Sequence, residues 1–121
     1  MARILVVDNH PAVLQSMKIF LEAAGHTVVV AADGREALGK ASGQPPDLAL
    51  LDFELPDMSG TDLCRAIKAD PALRGVPVVL VTGAVLQAVE PAALAAGAEA
   101  VIGKPFTIEG LQTGAAKYLR K

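Results

Sequence analysis

Two acids, an amide, a hydroxyl and an amine stand where short apolar runs stop. Asp8 and Asn9 follow "ILVV", Asp52 follows "LALL", Thr82 follows "VVLV", and Lys104 comes two residues after "AVI". Brought to one place, these groups have a definite chemistry. Two carboxylates a few ångströms apart repel each other unless positive charge lies between them. Mg²⁺ suits that role, because it takes oxygen ligands, keeps several waters and is held by one or two carboxylates together with phosphate. Asp52 can then act as a carboxylate nucleophile, accepting a phosphoryl group to give an acyl phosphate. Thr82 would hydrogen-bond one phosphoryl oxygen, the Lys104 ammonium would pair with another, and the metal would neutralise a third. Phosphoryl transfer asks for little beyond positioning and charge neutralisation of this kind.

The elements that must carry these residues alternate along the chain. Strands are expected over Ile4–Val7, Thr27–Ala31, Leu48–Leu51, Val76–Val81 and Ala100–Ile102, each short, rich in Val, Leu or Ile, and bounded by Gly, Pro, Asp or Asn. Helical patterns lie between them. Pro11 fits a first helical turn, Val13, Met17, Phe20 or Leu21, and Ala24 recur on one face, and Gly25 supplies a left-handed end. Asp33–Glu36 and Ser59–Asp62 read as capping boxes or near variants. Thr107 can cap a last helix whose inner stripe is Ile108, Leu111, Ala115 and Tyr118 or Leu119. Pro91 is costly inside a helix, so the fourth helix is expected to start near Glu90 and to leave 83–89 as an apolar loop. Five strands joined by helices imply a doubly wound α/β fold, a parallel sheet with right-handed crossovers and helices on both faces. In the order 2-1-3-4-5 the ligand crevice lies at the carboxyl ends of strands 1 and 3, and strand 2, which carries no comparable polar group, takes the edge.

Composition is consistent with this. At 121 residues the chain is expected to form one domain, residues 1–121, large enough to bury a core. Hydrophobic residues make up 52% and aromatics 3%, so that core must be aliphatic, as both-face-covered strands require. The net charge of −2, with Lys and Arg scattered, argues against nucleic acid as a partner. No apolar run is long enough to span a bilayer, and the N-terminus lacks a signal-peptide shape. A single cysteine, Cys64, excludes an internal disulfide and a CxxC motif. A soluble cytoplasmic protein without membrane contact is the expectation.

Four stretches, "ILVVDNH", "PDLALLDFELPDMSG", "VPVVLVTG" and "AGAEAVIGKPF", occur in order. With them the chain resembles, over its whole length, a receiver domain of a two-component response regulator. The strand order 2-1-3-4-5 comes with that resemblance, since alternation alone leaves other orders open. The resemblance implies that Asp52 is the phospho-acceptor, charged from a phosphohistidine on a sensor histidine kinase or a phosphotransfer protein. It implies that Asp8, Asp52 and the backbone carbonyl of Glu54 hold Mg²⁺, and that Thr82 and Lys104 move toward the phosphoryl group. It further implies a cis Lys104–Pro105 peptide and an output passed to a downstream protein or a fused domain. Catalysis would be confined to the chain's own phosphorylation and dephosphorylation. With "KYLRK" falling where the fifth helix is expected to finish, no output domain is expected within these 121 residues.

Three positions depart from the family's pattern. Asn9 stands where a second acid is usual; its carbonyl oxygen can still coordinate, but the site loses a charge, which predicts weaker Mg²⁺ binding. Asn9 is equally at home as a cap of the first helix. Glu54 can reach the mouth of the pocket or be a solvated surface residue, and Ala84 leaves a small side beside it. Val101 replaces the ring that swings inward in many members, so output would rest on Thr82 and residues 83–89, unless Val101 is plain strand filling. On the face of the fourth helix, fifth strand and fifth helix, Ala92, Ala93, Ala95, Ala96, Gly110 and Gly114 could admit another helix or pack on the chain's own sheet. Charges that would stitch a dimer there are few: Glu90, Glu99, Lys117 and Arg120. His10 and His26 read as cap and turn residues, Cys64 as a small filler, Asp57 as solvated.

Rival functions are a pseudo-receiver that binds partners without being phosphorylated, a flavin or nucleotide binder, and a phosphoester hydrolase using Asp52. The second lacks a phosphate loop, since "DNHP" follows strand 1 and neither GxGxxG nor a P-loop occurs. The third lacks a clearly placed acid for the leaving group unless Glu54 serves.

Overall fold

The computed structural model describes residues 2–119. Val, Leu and Ile fill five short strands, β1 (Arg3–Val7), β2 (Thr27–Ala31), β3 (Leu48–Asp52), β4 (Val78–Thr82) and β5 (Ala100–Gly103). Between and after them run α1 (Pro11–Ala23), α2 (Gly34–Gly43), α3 (Gly60–Ala69), α4 (Leu86–Ala95) and α5 (Ile108–Tyr118). All neighbouring strands pair in parallel, in the order β2-β1-β3-β4-β5. The alternation of the pleat divides the core. Leu5, Val7, Leu51 and Leu80 face one layer with α2, α3 and α4, while Ile4, Val6, Leu50 and Val79 face Met17 and Leu21 of α1 and Leu111 and Ala115 of α5. The largest fully buried side chains are aliphatic or methionine, as the scarcity of rings required. Phe20, Phe53, Phe106 and Tyr118 pack only at its margins.

Caps stand where they were expected. The Asp33 carboxylate accepts the Glu36 N–H at 2.8 Å, Ser59 Oγ accepts the Asp62 N–H at 3.0 Å, and Thr107 Oγ1 accepts the Gly110 N–H at 2.8 Å. The return bond of the first box lands one residue early, with Glu36 Oε1 accepting the Ala32 N–H at 2.7 Å. Gly25, at φ +94°, ends the α1 turn in the left-handed region that glycine tolerates best.

Four expectations are corrected. β4 begins at Val78, because Pro77 has no N–H for the ladder, although its carbonyl still accepts from Ala49 at 3.0 Å. α4 begins at Leu86 and runs through Pro91, with Val89 and Ala93 buried on either side of the ring. A proline there forfeits one hydrogen bond near the first turn, and the buried residues on both sides hold the helix across the gap. Ile108 and Ala24 are exposed rather than part of an inner stripe. The paired ladder also takes in Asp52 and Thr82 as last strand residues instead of the residues beyond.

Three of the small residues on or beside α4 and α5 pack within this chain. Ala93 and Ala96 are buried, and a Cβ at Gly114 would stand 3.0 Å from Ile102 Cδ1. Ala92 and Ala95 face outward. Val101 packs as strand filling against the α2–α3–α4 layer. Arg120 lies outside the described residues.

Candidate functional site

Because all five strands point the same way, their carboxyl ends form one rim. Asp8 directly follows β1 there, and its N–H donates to Ala31 O of β2 at 3.1 Å. Only 1% of the residue is exposed, so its two oxygens must be satisfied by the protein. Oδ1 accepts the His10 backbone N–H at 2.8 Å and lies 3.0 Å from His10 Nδ1; Oδ2 accepts from Lys104 Nζ at 2.9 Å. The same ammonium lies 3.4 Å from Asp52 Oδ1, which the Glu54 N–H also approaches at 3.4 Å. One lysine, 96 residues from Asp8, thus spans both acids.

Thr82 is buried at the end of β4, one residue past Val81, the register partner of Asp52. Its Oγ1 accepts the Ala84 N–H at 3.0 Å, and its carbonyl accepts the Lys104 N–H at 2.6 Å. Lys104–Pro105 is cis, as the resemblance implied. The loop after Asp52 is drawn under α3, where the Gly60 N–H donates to Phe53 O at 2.7 Å. A Cβ on Gly60 would run into the Asp52 carbonyl oxygen and stand 2.9 Å from Phe53 Cα, so this approach demands glycine.

The Asp52 carboxyl is held above the usual carboxylate range. Burial is the main cause and the charge of Asp8 the second, with Lys104 pulling the other way. A cleft of about 320 Å³ opens over it, lined by His10, Val13, Asp52, Glu54, Gly83 and Lys104. Glu54 therefore stands at the cleft and is exposed, while Asn9 is exposed and lies outside that lining. Asn9 does not cap α1 either; the N-cap is His10, without a side-chain cap bond. Asp8, His10 and Asp52 each bring a ligand atom within 4.8 Å of the others, a donor set that suits a divalent cation.

Residues 4–121 match the response regulator receiver domain family. The chain belongs to that family. It is 38% identical over 120 residues to the response regulator PleD of Caulobacter vibrioides, covering 99% of this chain and 23% of PleD. It is 37% identical over 119 residues to the DNA-binding response regulator MtrA of Mycobacterium tuberculosis, covering 98% of this chain and 51% of MtrA. The receiver thus spans a quarter to a half of the curated relatives it matches. Among solved structures it is similar to the chemotaxis response regulator CheY4 of Vibrio cholerae, with a TM-score of 0.94, 31% identity, and coverage of 98% and 99% of the two chains. It is also similar to the receiver domain of the sensor histidine kinase PA1611 of Pseudomonas aeruginosa, which carries a magnesium ion coordinated in its active-site cleft. There the TM-score is 0.89, the identity 31%, and the coverage 97% and 96%.

Sequence reasoning found Asp8, Asp52, Thr82 and Lys104 on this rim but set two residues aside. His10, read as a cap, is the N-cap and also joins the acid pair. Asp57, read as solvated, accepts the N–H groups of Gly34 at 2.8 Å and Arg35 at 2.9 Å, tying the receiver's post-Asp52 loop to α2. The spacing D-x-H-P could have flagged the first. Nothing local could have flagged the second, whose partners lie 23 and 22 residues away. Among the described residues no helix is long and apolar enough to cross a membrane.

Proposed function

We propose that Asp52 is the residue this receiver phosphorylates, through attack of its carboxylate on a phosphohistidine of a sensor histidine kinase or a phosphotransfer protein. The observation that carries the reading is the Lys104 ammonium, 2.9 Å from Asp8 and 3.4 Å from Asp52. It places a fixed cation beside the carboxylate where phosphoryl charge would arrive. Thr82 Oγ1, with its lone pairs partly engaged by the Ala84 N–H, keeps a proton to donate to a phosphoryl oxygen. Burial and the neighbouring Asp8 charge raise the proton affinity of the Asp52 carboxyl, with Lys104 pulling the other way. Mg²⁺ would be held by Asp8, Asp52, the Asn9 side-chain carbonyl and the Glu54 backbone carbonyl, and would supply charge neutralisation for the oxygens of the transferred group. With Asn9 where the family's pattern has an acid next to Asp8, the site has one negative charge fewer, and binding of Mg²⁺ is weaker here.

The receiver is catalytic only toward its own aspartyl phosphate, and it passes its state to a downstream protein or a fused output domain in the cytoplasm. Incubation with acetyl phosphate and Mg²⁺ tests this reading. Intact mass should rise by about 80 Da, and Asp52→Asn should abolish the gain. An unchanged mass for the native chain would point instead to an interaction module that phosphorylation does not switch, a reading that the assembled Asp8, Asp52, Thr82 and Lys104 disfavour.

A further inference from the structure

His10 brings the one imidazole among the residues that line the cleft over Asp52. We propose that His10 joins Asp8 and Asp52 as a third metal ligand, making a mixed nitrogen–oxygen site that prefers a late first-row divalent ion such as Ni²⁺ or Co²⁺ over Mg²⁺. The inference rests on the reading above that Asp8 and Asp52 hold a divalent cation.

Three observations carry it. His10 Nδ1 lies 3.0 Å from Asp8 Oδ1, and all three donor atoms fall within 4.8 Å. His10 Nδ1 and Asp8 Oδ1, within hydrogen-bond distance of each other, also have the spacing of about 3.0 Å that adjacent ligands of an octahedral ion with bonds of about 2.1 Å would take. Nδ1 is then the unprotonated ring nitrogen, and an ion takes the place of the shared proton. Asp8 divides its oxygens, with Oδ2 taken by Lys104 and Oδ1 facing His10, so the nitrogen side can hold an ion while the lysine bond persists. Finally, the backbone that carries the ring is held in place. His10 is the N-cap of α1, extended at φ −100° and ψ 109° before Pro11, and its N–H is bonded to Asp8 Oδ1. Its side chain is nevertheless 65% exposed, so the ring can turn its nitrogen onto an ion entering from the cleft.

The selectivity follows from donor chemistry. Asn9 withholds a further carboxylate, beside those of Asp8 and Asp52, that an oxygen-loving ion would use, while imidazole contributes strongly to the later ions and little to Mg²⁺. Titration of the whole chain with Ni²⁺, Co²⁺ and Mg²⁺ by calorimetry tests the proposal, with no phosphorylation required. Ni²⁺ should bind at least about a hundredfold more tightly than Mg²⁺. His10→Ala should cost Ni²⁺ and Co²⁺ about tenfold or more and Mg²⁺ at most about twofold. His10→Gln, which supplies an oxygen at similar reach, should likewise lose the late-ion preference. Co²⁺ should give the native chain a paramagnetically shifted imidazole N–H resonance that His10→Ala lacks. Equal losses for all three ions in His10→Ala, or no loss at all, would overturn the proposal while leaving the pocket intact. If Asp8→Asn and Asp52→Asn leave every ion bound as before, the cation reading of the pocket falls with it.

Discussion

Asn9 and Asp57 show how much one carboxylate can matter and how differently two can be read. Asn9 is exposed and outside the cleft lining, and its side chain is isosteric with an aspartate. Asn9→Asp should therefore strengthen Mg²⁺ binding on the order of tenfold by restoring a charged ligand, as read by calorimetric titration; equal affinities would remove the claim. Asp57 acts at the N-terminus of α2, where two backbone N–H groups would otherwise lack partners within the helix. The Gly34 N–H is the main reason its carboxyl lies below the ordinary 3.8, with Arg35 adding to it. A depressed acid stabilises the fold when ionised, so its contribution is present above pH 4 and disappears as pH falls through the lowered folded value. Asp57→Ala should lower the melting temperature at pH 7, and the gap from the native chain should close as the pH is taken below that value. The acids of the pocket were legible because each ends an apolar run. Asp57 was not, because a cap supplied from another part of the chain leaves no local pattern.

The β-strands and the three side-chain-capped helices could be read closely, since a short unbroken aliphatic run and a capping hydroxyl or carboxylate are both local. α4 could not. It has no capping side chain, its N-cap is Val85, and Pro91 argues for a later start, yet Val89 and Ala93 bury themselves one turn apart against the sheet. Tertiary packing outweighs the local penalty. The penalty should still be measurable. A helix-interior proline costs about 3 kcal/mol, of which a stiffer unfolded chain returns up to about 1 kcal/mol. Pro91→Ala, at an exposed position, should therefore raise stability by about 1–2 kcal/mol in urea unfolding. A loss of stability would mean that Pro91 holds the 83–85 loop in place rather than straining the helix.

Strand order is what turns scattered residues into a pocket, and order was the least local thing to infer. Alternating β and α elements require a parallel sheet but leave several orders open, so 2-1-3-4-5 came with the family resemblance and is the order observed. The closeness of α3 to the Asp52 loop was wholly invisible in sequence. Gly60→Ala should cost about 1–3 kcal/mol by overpacking and displace the acceptor's backbone. Its mass gain with acetyl phosphate should fall, even at temperatures where circular dichroism shows the variant folded. Lys104 has a different consequence. Until β5 docks, Asp8 and Asp52 face each other at the sheet's centre with no ammonium between them, an arrangement that interior burial penalises steeply. The final strand thus brings the counterion that lets the first and third strands settle. A chain halted before residue 104 should hold its central sheet loosely, however complete its aliphatic pattern.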